Sequence, residues 1–276
     1  AQAIKIIDEH LELGFTLTLR QLFYQFVGRD WLPNTHRSYK NLGAIIEDAR
    51  MAGLIDWDSI VDRTRSLRGL TRWNSPQEIL EASAAGYHID RWKDQKYRPE
   101  VWIEKDALVG VITRICNRYD VPYFSCRGYS SASAMWRASQ RISGYHEEGK
   151  TPLVFHLADH DPSGMNMTTD IARRLEFFFV PTKVKRVALN MPQVKKYKLP
   201  ENYAKQSDPR AGNYTKRFGE SSWELDALGP LVIEQTVEKE LLKLIDDKAW
   251  KATENREERE RKQILKAIPK PPRRKK

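Results

Sequence analysis

The chain has 276 residues, of which 40% are hydrophobic and 30% are charged, and its formal net charge is +10. This length suits one large domain or two modest ones. No apolar run approaches the roughly 18 residues of a membrane span, so we expect no transmembrane helix. The mixed polar and apolar residues 1–10 are not those of a signal peptide. Two cysteines give neither a disulfide framework nor a zinc spacing, which makes a reducing cytoplasm the expected compartment.

The first block of the chain, residues 1–75, is predicted to be helical. Thr16 can cap a helix that extends to about Val27, whose apolar residues recur at i, i+3 and i+4. Asn34 can cap a second helix that ends near Ala52. Two helices joined by a short turn predict a helix-turn-helix or winged-helix module that binds DNA. The alternative is that the second helix is an ordinary charged surface helix.

Acidic side chains follow two predicted strands of the second half of the chain. Glu104 ends one apolar run, and Asp159 and Asp161 follow another, residues 153–158. Open α/β sheets bind ligands at the carboxyl ends of their strands. Carboxylates that meet there predict a Mg²⁺ site, with Mn²⁺ as the alternative ion. A second interpretation is that Asp161 and Asp106 only cap the helices that follow them.

The wider pattern around these acids is an alternation of strands and helices. Residues 76–98, where the pattern is weak, are predicted to be a connector. Successive βαβ units form a parallel sheet with right-handed crossovers, so residues 99–250 are predicted to be an α/β domain with a mostly parallel sheet. Its predicted strands are residues 100–104, 122–125, 153–158 and 183–189, and its predicted helices are residues 106–119, 130–142 and 163–178. A loop-rich stretch and a terminal helical region complete it, at residues 190–222 and 225–247.

A tyrosine in the first predicted helix stands out because of its neighbour. Helical rotation places Tyr24 roughly 130° from the centre of the apolar stripe and Arg20 roughly 90° from it. Phe23 is therefore predicted to pack inward, and Tyr24 to face outward beside Arg20. A guanidinium near a phenol can lower the pKa of the phenol from about 10 and can neutralise a phosphate, an arrangement suited to a nucleophile. The alternative is a partly exposed structural tyrosine.

Positive charge is concentrated at the end of the chain. Residues 251–276 hold 11 Lys or Arg and 4 Glu, which is +7 of the total. This basic tail is predicted to be either a polyanion-binding arm or a solvated end. Residues 190–222 interleave basic and aromatic side chains, a pattern typical of nucleic-acid binding: Lys195, Lys196, Lys198, Lys205, Arg210, Lys216, Arg217, Tyr197, Tyr203 and Tyr214. The predicted DNA contacts are Arg37, Lys40, Lys105 and Arg127.

Three segments, in this order, resemble the motifs of one family. Thr-Leu-Arg-Gln-Leu-Phe-Tyr at 18–24 resembles the Arg-x-x-aromatic-Tyr motif of the topoisomerase VI A subunit and its meiotic double-strand-break relatives. Val-Trp-Ile-Glu-Lys-Asp-Ala at 101–107 is similar to that family's Val-Glu-Lys-Asp-Ala Toprim motif. Asp-His-Asp-Pro-Ser-Gly at 159–164 is similar to its Asp-Gly-Asp-Pro-x-Gly motif, and Arg-Gly-Tyr at 127–129 resembles a Gly-Tyr loop between the two. The resemblance covers residues 16–247 and implies a winged-helix domain followed by a Toprim domain.

The resemblance also implies a reaction. Tyr24 would attack a DNA phosphodiester to form a 5′-phosphotyrosine link, Arg20 would hold the phosphate, and Mg²⁺ would bind Glu104, Asp159 and Asp161, with Glu104 counted among the catalytic residues. In the family, the tyrosine and the metal come from different protomers, so a homodimer making double-strand breaks in double-stranded DNA is implied. The chain has no Gly-x-x-x-x-Gly-Lys-Ser/Thr P-loop, which agrees with an A-type chain served by a separate GHKL-type ATPase subunit. A cytoplasmic, nucleoid-associated protein is expected.

The sequence departs from the family pattern at several positions. His160 stands where glycine is usual, Ser130 stands where proline is usual, and the chain is shorter than a typical A subunit. The alternatives left open are a Toprim-type metal nuclease or primase-like enzyme in which Tyr24 is structural, a non-catalytic DNA-binding protein, and an A subunit that is silent without its ATPase partner.

Overall fold

The computed structural model describes residues 1–61, 70–203 and 208–268. Its first part is helical, as predicted. The two helices of the predicted helix-turn-helix begin one or two residues later than expected, after Thr18 and Thr35. Thr18 forms a capping box with Gln21, whose side chain accepts from the Thr18 N–H at 2.8 Å. The helices are α1 (Gln2–Glu12), α2 (Leu19–Val27), α3 (His36–Met51) and α4 (Pro76–Ala85).

The first three helices share an apolar core. Leu22 and Ile6 are fully buried in it, and Leu17 forms an isolated parallel bridge with Ile60. No β-hairpin that could serve as a wing occurs among the described residues of 1–75. A helical N-terminal unit is therefore present, and its assignment as a winged helix stays a prediction.

The second part of the chain is an α/β structure with a four-stranded, all-parallel sheet, which confirms the predicted class. The strand order is β2-β1-β3-β4, and the strands are β1 (Tyr97–Ile103), β2 (Tyr123–Ser125), β3 (Thr151–Leu157) and β4 (Lys183–Ala188). Helices connect them in the predicted order: α5 (Val109–Arg118), α6 (Ala132–Glu147) and α7 (Pro162–Phe177). The Toprim assignment of this sheet stays a prediction.

Helices cover both faces of the sheet. Successive strand side chains point to opposite faces. Val101 and Ile103 accordingly pack with α5 and with the later helix α10 (Pro230–Leu242), while Trp102 packs with α6 and α7 on the other face. The central strands are thus buried from both sides, so polar groups that belong to the site must lie beyond the strand ends.

The stretch predicted to be loop-rich is more ordered than expected. Between residues 190 and 222, the described residues form α8 (Met191–Tyr197), a short antiparallel pair β5 (Asn202–Tyr203) and β6 (Ser221–Ser222), and α9 (Ala211–Phe218). The loop prediction was wrong here because the lysine-rich composition concealed local signals. One of these signals is Gln193, whose side chain accepts from the Asn190 N–H at 2.8 Å and caps α8.

The end of the chain also differs from its prediction. Two helices follow, α10 (Pro230–Leu242) and α11 (Asp247–Ala267), so residues 251–267 are helical rather than a tail. α11 covers the connector: Glu257, which is 3% exposed, accepts from the Ile89 N–H at 3.0 Å. Residues 269–276 lie outside the described residues. Across the described parts of the chain, every helix is too short or too polar to cross a bilayer.

Candidate active site

The carboxyl ends of β1 and β3 meet at the centre of the sheet. β2 lies on one side of β1 and β3 lies on the other, so the order in which strands are added to the sheet reverses between the two central strands, β1 and β3. Open parallel sheets form a ligand crevice at such a switch point. Glu104 comes directly after β1, and Asp159 lies just beyond β3. The structure therefore brings these two predicted site residues to one edge of the sheet.

Glu104 and Asp159 are in direct contact. The Asp159 N–H donates to Glu104 Oε2 at 2.9 Å, and the Glu104 N–H donates to the Leu157 carbonyl at 2.8 Å. Burial raises the pKa of Glu104, and the negative charge of Asp159 raises it further. Burial also raises the pKa of Asp159, although the Lys105 ammonium opposes this shift. The two carboxylates thus share a poorly solvated crevice where added positive charge is favourable.

Asp161 lies on the same loop and begins α7. Its Oδ1 accepts from the Gly164 N–H at 2.6 Å, so it is a helix cap, as the alternative interpretation held. Asp106 does not cap its helix, because its carboxylate faces Arg127 at 3.2 Å instead. Arg186 fixes the Asp159–Asp161 loop by donating to the Ala158 and Gly164 carbonyls at 2.8 Å each.

The carboxylates are engaged by protein groups. Asp159 Oδ2 lies 2.8 Å from Lys105 Nζ, and Asp159 Oδ1 accepts from the Leu225 N–H at 2.7 Å. Within residues 1–61, 70–203 and 208–268, no three His, Cys, Asp or Glu side chains are grouped so as to hold a metal ion. One oxygen each of Glu104 and Asp161 accepts no hydrogen bond from a described residue. The predicted Mg²⁺ site therefore stays a prediction.

Tyr24 is buried, contrary to its prediction. It is 6% exposed, and its ring packs edge-on against Phe23 with the centroids 5.5 Å apart. The Arg20 guanidinium lies over the same ring, 5.7 Å from its centroid. Burial and the negative charge of Glu224 raise the pKa of Tyr24 and outweigh the lowering effect of Arg20. The predicted pairing with Arg20 is present, while the predicted lowering of the phenol pKa is not.

Tyr24 is buried in the apolar core of the first three helices, and its neighbour Arg20 faces an acidic segment, residues 223–227, which precedes α10. Arg20 Nη2 is paired with Glu224 Oε2, and Arg20 Nε donates to Asp226 Oδ2 at 2.9 Å. Lys105 Nζ lies 2.8 Å from Glu224 Oε2 and 3.0 Å from Asp226 Oδ2. Because Lys105 also binds Asp159, these contacts form one continuous network from the tyrosine to the sheet edge.

Lys105, a predicted DNA contact, lies at the centre of this network. Its side chain is 18% exposed and touches three carboxylates. Burial alone would lower the pKa of Lys105, but those carboxylates raise it above its usual value. The ammonium is therefore a fixed positive charge in the crevice, rather than part of an open basic surface.

The remaining predicted DNA contacts are exposed. Arg37 and Lys40 lie on the first turns of α3 and face solvent. The Arg127 side chain is 75% exposed beside Asp106. Tyr214, from the interleaved stretch, is buried and hydrogen-bonded to His160 at 2.8 Å, so it supports the fold and offers no stacking surface. Lys205 lies outside the described residues.

Three acidic or basic side chains of the site were missed by sequence reasoning, Glu224, Asp226 and Arg186. The signal for the two acids was their alternation with apolar residues in Trp-Glu-Leu-Asp-Ala, where the predicted loop ends. Arg186 lay within a predicted strand, and only the register of that strand turns it toward the loop. His160, the departure from the glycine of the family motif, fills an aromatic pocket beside Trp223.

Comparison with protein-family models, with curated proteins and with solved structures finds no match for this chain.

Proposed function

We propose that this chain is a type II topoisomerase-like DNA transesterase, a compact A-type subunit that cleaves double-stranded DNA through Tyr24. The observation that supports this best is the network that joins Tyr24 and Arg20 to Lys105 and Asp159. A tyrosine beside an arginine, connected through Asp226 and Lys105 to the switch point of a parallel sheet, would combine a nucleophile with a phosphate-binding group.

The reaction is a transesterification at phosphorus. The Tyr24 hydroxyl gives its proton to solvent and forms a bond to phosphorus, the bond from phosphorus to O3′ breaks, and O3′ takes up a proton from solvent and leaves as a hydroxyl. Arg20 neutralises the phosphate oxygens during this exchange. One phosphoester replaces another, so cleavage itself requires no nucleotide.

A hard divalent cation is proposed as the cofactor. Glu104, Asp159 and Asp161 would supply carboxylate oxygens, the ligands that Mg²⁺ and Mn²⁺ prefer. Burial and the neighbouring charge of Asp159 raise the pKa of Glu104, so added positive charge would stabilise its ionised form. Bound there, Mg²⁺ would stabilise charge on the phosphate as the bonds exchange. Asp159 would have to give up its contact with Lys105 to take part.

The proposed assembly is a homodimer, because cutting both strands requires two tyrosines. The resemblance implies that each tyrosine works with the metal site of the other protomer. In this structure, however, a single chain connects Tyr24 with Asp159 through Arg20, Asp226 and Lys105. A separate GHKL-type ATPase subunit is proposed as the partner that would open the dimer for strand passage.

The burial of Tyr24 favours a second candidate function. Tyr24 is 6% exposed in an apolar core, so packing alone would account for a tyrosine at this position. In that case the carboxylate site would act alone, as a Toprim-type metal nuclease that leaves no protein attached to DNA.

Denaturing electrophoresis of end-labelled duplex DNA with Mg²⁺ or Mn²⁺ tests the proposal. The wild-type chain should give a covalent protein–DNA adduct, and Tyr24→Phe should give none because its ring lacks the attacking oxygen. Tyr39→Phe is the matched control, since Tyr39 also packs against Phe23 at a centroid distance of 5.5 Å but lies outside the network.

The nuclease alternative predicts a different result in the same electrophoresis experiment. If the protein is a nuclease, the Tyr24→Phe variant should cut DNA at the wild-type rate without forming an adduct. The Glu104→Gln variant should then no longer cut DNA. Absence of an adduct from every preparation, with and without candidate ATPase subunits, would contradict the transesterase proposal.

A further inference from the structure

Donors from two separate parts of the chain converge on one carboxylate oxygen. Glu224 Oε2 is paired with Arg20 Nη2 from α2 and lies 2.8 Å from Lys105 Nζ at the end of β1. The Tyr24 ring lies beside this guanidinium, with its centre 5.7 Å from the guanidinium carbon. A guanidinium and an ammonium thus hold a single anionic group, and a phenol neighbours the guanidinium.

This donor set matches a phosphate group. Carboxylates and phosphates both present anionic oxygens, and both form short charge-assisted hydrogen bonds with arginine and lysine. Tyr24 neighbours Arg20, whose guanidinium carbon lies 5.7 Å from the centre of its ring, and its hydroxyl is the proposed nucleophile. The position of the Glu224 carboxylate is therefore that of a phosphate in the proposed reaction.

Glu224 can leave this position more easily than its neighbour. Its side chain is 24% exposed and that of Arg20 is 46% exposed, so the pair borders solvent. The Asp226 side chain is 0% exposed and stays anchored between Arg20 and Lys105. Rotation of the Glu224 side chain alone would expose two cations and the tyrosine without unfolding the acidic segment.

We propose that Arg20, Lys105 and Tyr24 form a phosphate-binding site and that Glu224 occupies it as an internal competitor, which holds the site closed until a phosphate displaces the carboxylate. This inference rests on the proposed function, which it deepens by naming Glu224 as the group that closes the phosphate-binding site before DNA binds. Arg20 and Lys105 together lower the pKa of Glu224 to about 2 against the opposing effect of burial, so the competitor is charged at neutral pH.

The test measures anion binding to the full chain without metal. Inorganic phosphate is titrated while the shift in thermal unfolding is recorded, and a short labelled duplex DNA is titrated by fluorescence anisotropy. Removing a competitor that fills most of the sites should tighten both affinities by about tenfold in Glu224→Gln. Glu220→Gln, an equal charge change at an exposed residue without a hydrogen bond or ion pair to a described residue, should stay within about twofold of wild type.

A further substitution locates the effect. Arg20→Gln in the Glu224→Gln background should abolish the gain in affinity, because it removes the guanidinium to which the phosphate would bind. Equal affinities for Glu224→Gln and Glu220→Gln, or a gain that survives Arg20→Gln, would overturn the inference. If circular dichroism shows that Glu224→Gln is unfolded, Glu224→Ala provides the same comparison.

The outcomes separate this inference from the proposed function. Phosphate binding requires neither cleavage nor a tyrosine adduct, so a gain in Glu224→Gln without any adduct supports the anion site and rejects the transesterase. An adduct without that gain rejects only the competitor role of Glu224.

Discussion

At the scale of single residues, the Asp159–Asp161 loop packs so closely against Gly164 that no side chain fits at that position. Gly164 lies in the first turn of α7, and a Cβ there would be 2.2 Å from the Asp159 carbonyl oxygen. That distance is far inside van der Waals contact, and the atom it meets belongs to the backbone. The position of Asp159 therefore depends on glycine at 164.

Gly164→Ala should destabilise the fold by about 1–3 kcal/mol, because the loop must move to admit a methyl group. Urea unfolding of the full chain measures this as a lower midpoint. The matched control is Gly144→Ala, also within a helix but with nothing within 4 Å of the added carbon, which should gain up to about 1 kcal/mol. Equal midpoints for the two variants would contradict the structure at this loop.

The positions of some single residues could be predicted from the sequence, and those of others could not. The positions of Glu104 and Asp159 followed from strand–helix alternation, because every parallel strand ends at the same edge of its sheet. The outward orientation of Tyr24 was wrong because helical rotation considers one packing partner, whereas α2 packs on both its own core and the acidic segment. A partner more than 200 residues distant leaves no trace in local periodicity.

At the scale of elements, α6 is bound to β1 by an ion pair with a buried carboxylate as well as by apolar contacts. Glu100 is 2% exposed on β1 and accepts from Arg141 Nε at 2.7 Å and Nη2 at 2.9 Å. The Trp102 indole N–H donates to the same carboxylate at 2.8 Å. A charged residue in a predicted apolar strand is thus satisfied by the helix that crosses over it.

Arg141→Leu should cost about 2–3 kcal/mol, since it leaves a buried carboxylate without its cation. Adding Glu100→Gln should recover part of that loss, because the neutral amide still accepts from Trp102 and no longer requires a charge partner. Arg137→Leu, on an exposed position of α6, is the control and should change the unfolding free energy by less than about 0.5 kcal/mol. A double variant less stable than Arg141→Leu alone would show that the pair is not coupled in this way.

Elements differ in how well the sequence predicts them. The sheet helices were predicted because their apolar residues repeat with helical spacing over three or more turns. α8 and α9 were missed because each has only two or so turns, too few for a periodic signal among the lysines. The part of α11 within the predicted tail was missed because only a few of its residues are buried, among them Thr253 and Glu257.

At the scale of the whole molecule, the helical N-terminal unit and the α/β part are joined by specific contacts. Arg114 on α5 lies over the Phe15 ring at 4.2 Å, donates to the Leu13 carbonyl at 3.0 Å, and pairs with Glu234 on α10. Together with the Arg20 contacts, this second attachment orients α2 relative to the sheet.

Two buried histidines should make the molecule sensitive to acid. Burial lowers the pKa of His156 to about 3 and that of His160 to about 4. The unfolded chain binds their protons near pH 6.5, so stability falls as pH drops below about 6.5 and continues to fall until the folded-state pKa is reached. At about pH 5 each histidine should cost about 2 kcal/mol relative to neutral pH.

His156→Leu isolates this contribution, since other titrating groups cancel between the variant and the wild type. The difference in unfolding free energy between the two proteins should shift by about 2 kcal/mol in favour of the variant from about pH 7.5 to about pH 5. Denaturant unfolding at both pH values measures it. His36→Leu, at an exposed residue of α3, should show no such shift, and an unshifted His156→Leu would exclude a neutral, buried imidazole.

The position of Lys105 has a consequence for ligands at the two ends of the network. A single ammonium contacts Asp159 at 2.8 Å and Glu224 at 2.8 Å. A cation at Asp159 would displace that ammonium toward the proposed phosphate site, and a phosphate bound there would attract it away from Asp159. The two ligands would therefore bind with positive heterotropic linkage, and by reciprocity each would raise the affinity of the other by the same factor.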